Sequence, residues 1–321
     1  MSEPIAKMNP ERDALYHLLN GQLKEQRASR RWGLLFKLIS FSVIGYFVIF
    51  PLFTMQKDMK QSLLSTEPHT ALIDIYGEID SSRETNADNV IESLENAFDN
   101  RFVKGVVLRI NSPGGSPVQA RQIYNAIQAL KLKKPDIKVY AAIEDMGTSA
   151  AYLISAAAHG IYCDKTSLVG SIGVLLDSFG YIDVMQKVGV ERRLYTAGAH
   201  KGILDPFSPR KPEEDSHIQA QLDMTHRTFI EDVKQGRGEK LVTSAPDLFT
   251  GLFWSGEQAR NLGLVDGFGD VRSIAKNIIK AENIVDYTTS MGLLDKLTYK
   301  LGASIADRLA IKSGITLKGL Q

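Results

Sequence analysis

Short apolar runs that alternate with helix-spaced stretches constrain the fold of this chain more than any other feature. Ala71-Leu72-Ile73-Asp74-Ile75-Tyr76, Val103 to Ile110, Ile137 to Ile143 and Ile161-Tyr162-Cys163 read as strands. Asn86 to Phe98 and Val118 to Leu130 carry apolar residues at helical spacing, and Ser149 to Ala158 reads as a small-residue, buried helix. Strands that are apolar almost throughout need cover on both faces. Their alternation with helices of about ten residues predicts right-handed βαβ units, a largely parallel sheet and an α/β fold. Further on, Tyr181 to Val188 reads as a helix, and Arg193-Leu194-Tyr195 as a strand leading into a loop. Lys211 to Gln235 reads as a long polar helix with Pro212 in its first turn. Phe253 to Ala259 looks like a capped helix start, and Asn261 to Asp270 has glycine-rich turn chemistry.

A different pattern precedes this region. Trp32 to Met55 is continuously apolar apart from Lys37, which lies close enough to one edge to snorkel. A bilayer core needs about 20 such residues in a helix. The run is too long for a signal-peptide core and lacks a small-residue cleavage pattern, and a buried core helix is rarely this apolar all round. It predicts one transmembrane anchor, with Pro51 tolerated in its last turns. Lys24, Arg27, Arg30 and Arg31 outweigh the flanking charge beyond it, so the N-terminus is expected in the cytoplasm and the rest outside. The expected plan is a cytoplasmic tail (1–31), anchor (32–55), linker (56–69), folded main domain (70–282) and amphipathic C-terminal helical extension (283–321). In the extension, Leu294, Leu297, Leu301, Ile305 and Leu309 share one helix face, suited to packing on the body or a neighbour, or to lying on the membrane.

Several function classes drop out. A formal net charge of +1 argues against a nucleic-acid partner. A single cysteine, Cys163, excludes an intrachain disulfide and a cysteine-rich metal site, and it reads as an inert core thiol. There is no P-loop, dinucleotide fingerprint, H-E-x-x-H or G-x-S-x-G elbow, and no carboxylate cluster that suggests a metal.

Three segments remain. Ser112-Pro113-Gly114-Gly115 follows a buried strand, where ligands bind in parallel sheets, and its double glycine lets backbone N–H groups approach a substrate. The other reading is an ordinary turn. Ser149, in Gly147-Thr148-Ser149-Ala150-Ala151-Tyr152, taken alone reads as a helix N-cap more readily than as a nucleophile. Lys201, in Gly198-Ala199-His200-Lys201-Gly202, reads alone as a surface lysine. It could act as a base only if burial or a nearby cation lowered its pKa.

Together and in this order, the segments resemble the signal peptide peptidase A family, membrane-bound serine peptidases with a fold similar to the Clp protease subunit and the crotonases. Ser149-Ala150-Ala151-Tyr152 matches the nucleophile segment, although the family often has glycines where Ala150 and Ala151 stand. Gly198-Ala199-His200-Lys201 matches the base segment, at a spacing typical of short members. Gly170-Ser171-Ile172-Gly173-Val174 matches a segment whose serine bonds the lysine, and Ser112-Pro113-Gly114-Gly115 matches the oxyanion segment. The match covers roughly residues 70–275.

The resemblance implies repeated ββα units and a Ser–Lys dyad of Ser149 and Lys201. Ser171 would orient the amine, and N–H groups at Gly114, Gly115 and Ala150 would hold the oxyanion. It implies no metal or organic cofactor, and His200 reads as structural. Expected partners are peptide substrates, the lipid bilayer and further copies in a homo-oligomer. The implied substrates are remnant signal peptides or small membrane polypeptides, at the bacterial inner membrane with an extracytoplasmic domain. The sequence leaves open whether the dyad forms within one chain or between chains. Two other readings are a catalytically silent membrane scaffold and a crotonase-type acyl-CoA enzyme, since fold alone does not set function.

Overall fold

The computed structural model describes residues 32–47 and 66–289. The chain divides into two compact units, Met1–Leu63 and Leu64–Gln321. In the first unit, residues 32–47 form helix α1, whose large apolar side chains, Trp32, Phe36, Phe41 and Phe47 among them, are exposed. Among the described residues no helix is long and apolar enough to cross a membrane. The expected tail, the remainder of the Trp32–Met55 run, most of the linker and the helix around Leu294–Leu309 lie outside the described residues.

The second unit is an α/β domain. Strands β1 (His69–Ile79), β2 (Val103–Gly115) and β3 (Lys138–Thr148) alternate with helices α2 (Ala87–Asp99), α3 (Pro117–Lys133) and α4 (Ala150–Ala156). The helix boundaries follow local chemistry. Asn86 caps α2 by accepting the Asn89 N–H, and Ser116 caps α3 with Pro117 next to it. Strands β4 (Gly160–Cys163) and β5 (Leu168–Gly170) both pair with β3. Helices α5 (Ile182–Lys187) and α6 (Pro212–Arg237) follow. Strand β6 (Phe253–Ser255), α7 (Gly256–Asn261), β7 (Gly267–Phe268), α8 (Val271–Ser273) and β8 (Ile284–Asp286) complete the domain. The stretch read as a capped helix start is thus a short strand followed by a helix, with Ser255 and Gln258 forming a capping box at the junction.

The main path of the eight-stranded sheet runs β6-β5-β3-β2-β1-β8, and every pairing is parallel except β5 with β6. The ββα units implied by the resemblance appear as long single strands with register shifts, between Tyr76 and Glu78 in β1 and between Ile110 and Ser112 in β2. Beyond the shift β3 changes partner: Tyr140–Ile143 pair with β4, whereas Met146–Thr148 pair with β5. The core lies between the sheet and α2, α3 and α4, around Ile73, Leu94, Leu108, Ile123 and Ile154. A smaller cluster of Leu72, Val107, Ala142 and Ile274 covers the other face.

Candidate active site

The site forms at the carboxyl ends of β2, β3 and β5, where the strands stop together. Ser112 is paired with Gly147 across β2 and β3, and the Thr148 hydroxyl donates to the Pro113 carbonyl at 3.1 Å. Ser149 follows directly. Its N–H donates to the Gly170 carbonyl at 2.8 Å, and its own carbonyl accepts the Leu153 N–H to start α4. Bonded on both sides, it is held at φ 54°, in the left-handed region. For a non-glycine residue this conformation costs about 1–3 kcal/mol and concentrates at functional sites.

The strain has a consequence for the hydroxyl. Ser149 stands at the N-cap position of α4 but makes no side-chain capping bond, so the cap reading fails, and Oγ has no hydrogen bond among the described residues. Gly114, at φ 110°, lies against it. A Cβ on Gly114 would sit 2.7 Å from the Ser149 Cβ, 3.1 Å from its Oγ and 3.0 Å from the Ala150 nitrogen. Only glycine lets this backbone come so close. Gly115 is equally constrained, since a Cβ there would meet the Ile79 carbonyl oxygen at 2.2 Å. The Ala150 N–H, first in α4, is one of the donors that a helix leaves without an internal acceptor. A free hydroxyl next to a glycine turn and a helix N–H is an arrangement that can attack a carbonyl and hold the resulting oxyanion.

Ser171 arrives through β5. Thr148 is paired with Gly170, so Ser149 and Ser171 are the next residues along two adjacent strand ends. Ser171 also has positive φ, 52°, and its N–H donates to the Leu252 carbonyl at 2.8 Å. Behind the site, all of α4 is buried, and the Tyr152 hydroxyl donates to the Leu264 carbonyl at 2.8 Å.

Lys201 is placed elsewhere. It lies exposed in a turn, with no hydrogen bond or ion pair at Nζ and not within hydrogen-bonding distance of either serine among the described residues. The Arg193-Leu194-Tyr195 stretch before it is not a strand but exposed chain, paired with no strand among the described residues. The turn is tied to α6, where Glu214 Oε1 is 3.2 Å from His200 Nδ1 and accepts from Lys211 Nζ at 3.0 Å. These hydrogen bonds hold the Glu214 carboxyl below the usual carboxylate range.

Ser149, Gly114, Ala150 and Ser171 therefore come together, and Lys201 does not join them. Cys163 is fully buried away from the site, and burial pushes its thiol up to about 12. One contact had no sequence signal: His226 on α6 has Nε2 3.0 Å from the Ile172 carbonyl oxygen, across 54 positions.

The model of peptidase family S49 matches residues 131–285, and that of the Clp protease matches residues 56–163. A protease-named protein of Methanocaldococcus jannaschii is 34% identical over 224 residues, which are 68% of this chain and 70% of that protein. Protease 4 of Haemophilus influenzae is 31% identical over 70% of this chain and 35% of its own length. A Brucella abortus protein named Na(+)/H(+) antiporter NhaA is 47% identical over 57% of this chain, but the match spans only 25% of that protein. The shared stretch with the antiporter is thus a quarter of a longer chain, whereas the archaeal relative matches along most of its length. With the family model matched over residues 131–285 and the archaeal protease-named relative alike over 70% of its own length, the chain belongs to peptidase family S49, a family of serine peptidases.

Proposed function

We propose that this chain is a membrane-anchored serine endopeptidase with Ser149 as nucleophile and Lys201 as general base. The observation that carries this reading is Ser149 itself, strained, uncapped and pressed against Gly114. Neutral Lys201 takes the Ser149 proton as Oγ attacks a peptide carbonyl. N–H groups of Gly114 or Gly115 and of Ala150 stabilise the oxyanion, and Ser171 orients the amine. The protonated lysine gives its proton to the leaving amine. Water, deprotonated by the same lysine, then releases the acyl group and frees Ser149.

The dyad is completed between chains. Glu214 anchors the Lys201 turn and His226 anchors the Ser171 segment, and both stand on α6. Twelve residues of helix separate the anchors by about 18 Å, farther than a lysine side chain reaches. The chain from Leu175 to Tyr195 exposes Leu175, Phe179, Val188 and Tyr195, an apolar surface suited to a second copy. A neighbour seated there would also supply the burial that Lys201 needs in order to act as a base.

Helix α1 and the apolar residues up to Met55 form the anchor, with residues 1–31 cytoplasmic and the peptidase domain, residues 70–282, outside. Residues 56–69 link the two; of residues 283–321, Ile284–Asp286 belong to the sheet as β8, and the helical extension follows them. The site then meets remnant signal peptides and small membrane polypeptides at the inner membrane. Wild type, Ser149→Ala and Lys201→Ala would be compared for cleavage of fluorogenic peptides and labelling by a serine-reactive probe. Both substitutions are expected to reduce cleavage by at least about a thousandfold, as loss of members of such catalytic sets does. Cleavage that survives in Ser149→Ala would refute the assignment. A wild type that neither cleaves nor labels would favour the silent scaffold.

A further inference from the structure

Helix α6 reaches the candidate site at a point that no motif marks. His226, half-buried in the middle of α6, has Nε2 3.0 Å from the Ile172 carbonyl oxygen. A carbonyl only accepts, so Nε2 carries the proton and donates. The bonded segment is under conformational constraint. Gly170 is at φ 104° and Ser171 at φ 52°. Such conformations persist only where their surroundings over-determine them.

Three hydrogen bonds do so here. Ser149 N–H donates to the Gly170 carbonyl at 2.8 Å, and Ser171 N–H donates to the Leu252 carbonyl at 2.8 Å. The third, from His226, is the one side-chain hydrogen bond that reaches residues 170–173 among the described residues. The Ile172 carbonyl lies in the peptide that joins Ile172 to Gly173, so the bond fixes the chain one peptide beyond Ser171.

We propose that His226 is a positioning residue, whose Nε2–H holds the Ile172 carbonyl and thereby keeps Ser171 in its strained conformation next to Ser149. This rests on the reading of Ser149 and Ser171 given above. His226 touches neither substrate nor the reacting atoms.

The test uses the full chain in three variants. His226→Gln keeps an N–H donor at similar reach, His226→Met has the same length without a donor, and His226→Phe keeps the ring without one. Hydrogen exchange is followed by mass spectrometry across residues 168–176, with α3 as the reference for an intact fold. Met and Phe are expected to speed exchange at residues 171–173 and Gln to restore protection, with α3 unchanged in all. For peptide cleavage, kcat is expected to fall roughly five- to tenfold in Met and Phe, the size of one net hydrogen bond. KM should stay within about twofold, and Gln should recover most of the loss.

If Phe also loosens α3, the isosteric pair of Gln and Met decides. Unchanged exchange in Met, or Gln as fast as Met, overturns the proposal. So does a full kcat in Met alongside faster exchange, because the segment would then be anchored without consequence for the chemistry. A wild type with no cleavage and no labelled Ser149 overturns the peptidase reading and the catalytic role of His226 with it, and the exchange comparison still decides whether His226 anchors the segment.

Discussion

His159 sits just beyond α4, at the end away from Ser149, and shows how one side chain can tie stability to pH. Its Nδ1 accepts the Val139 N–H at 3.0 Å, while the His159 backbone N–H donates to the Val139 carbonyl at 2.8 Å. The first bond needs a neutral ring. Burial, and then Lys131 and Lys138, push its pKa down to about 4, against about 6.5 in an unfolded chain. Between those values the unfolded chain binds more protons, so this contribution to stability is complete above about pH 6.5 and is lost as pH falls toward 4. His159→Asn keeps an acceptor and removes the titration. Its melting temperature, followed by circular dichroism, is expected to fall less between pH 6.5 and 4.5 than that of the wild type. Parallel falls would acquit His159. Ser149 makes the complementary point about legibility. Its type and its place before an apolar helix were readable, and they suggested a cap. The unused hydroxyl was not readable, because it follows from bonds to Gly170 and Leu153 that hold the backbone at positive φ.

Among the elements, α6 does the most to assemble the site. Its extent was readable to within two residues from its polar pattern and Pro212, but its partners were not. Its N-terminal turn carries Glu214, its middle carries His226, and its end packs on α4. There, a Cβ on Gly236 would lie 2.1 Å from the Ala156 carbonyl oxygen and 2.8 Å from its carbon. Next to it Arg237, with a side chain 1% exposed, donates twice to the Gly263 carbonyl and pairs with Asp266 at 2.8 Å. Burial raises the Asp266 carboxyl, but hydrogen bonds from Arg237 and Lys240 outweigh this and hold it below the ordinary range. Gly236→Ala should therefore push α6 off α4. Overpacking of this kind costs about 1–3 kcal/mol, more than the roughly 1 kcal/mol that alanine gains over glycine in a helix. Urea unfolding should show the net loss, and labelling of Ser149 should slow, because α4 carries it. A variant as stable as wild type would mean that the two helices separate freely.

For the molecule as a whole, the arrangement between copies matters most. If the dyad forms between chains, inactive Ser149→Ala and Lys201→Ala proteins should regain cleavage when mixed under conditions that exchange subunits, since some sites then draw an intact serine and an intact lysine from different chains. Mixtures that stay inactive while the subunits demonstrably exchange would return the dyad to a single chain. The sequence by itself determined the parallel α/β domain, because apolar runs of strand length between helix-spaced stretches have few other ways to bury both faces. It also drew attention to Ser149 and the Gly114-Gly115 turn, because glycines and small residues at strand ends leave a local trace, whereas Ser171 stood out only through the family resemblance. Only the tertiary structure decided that the Ser149 hydroxyl is free, that His226 holds the Ser171 segment, and that Lys201 stands apart. Each depends on contacts between residues far apart in the chain, and neither local propensity nor periodicity records such contacts.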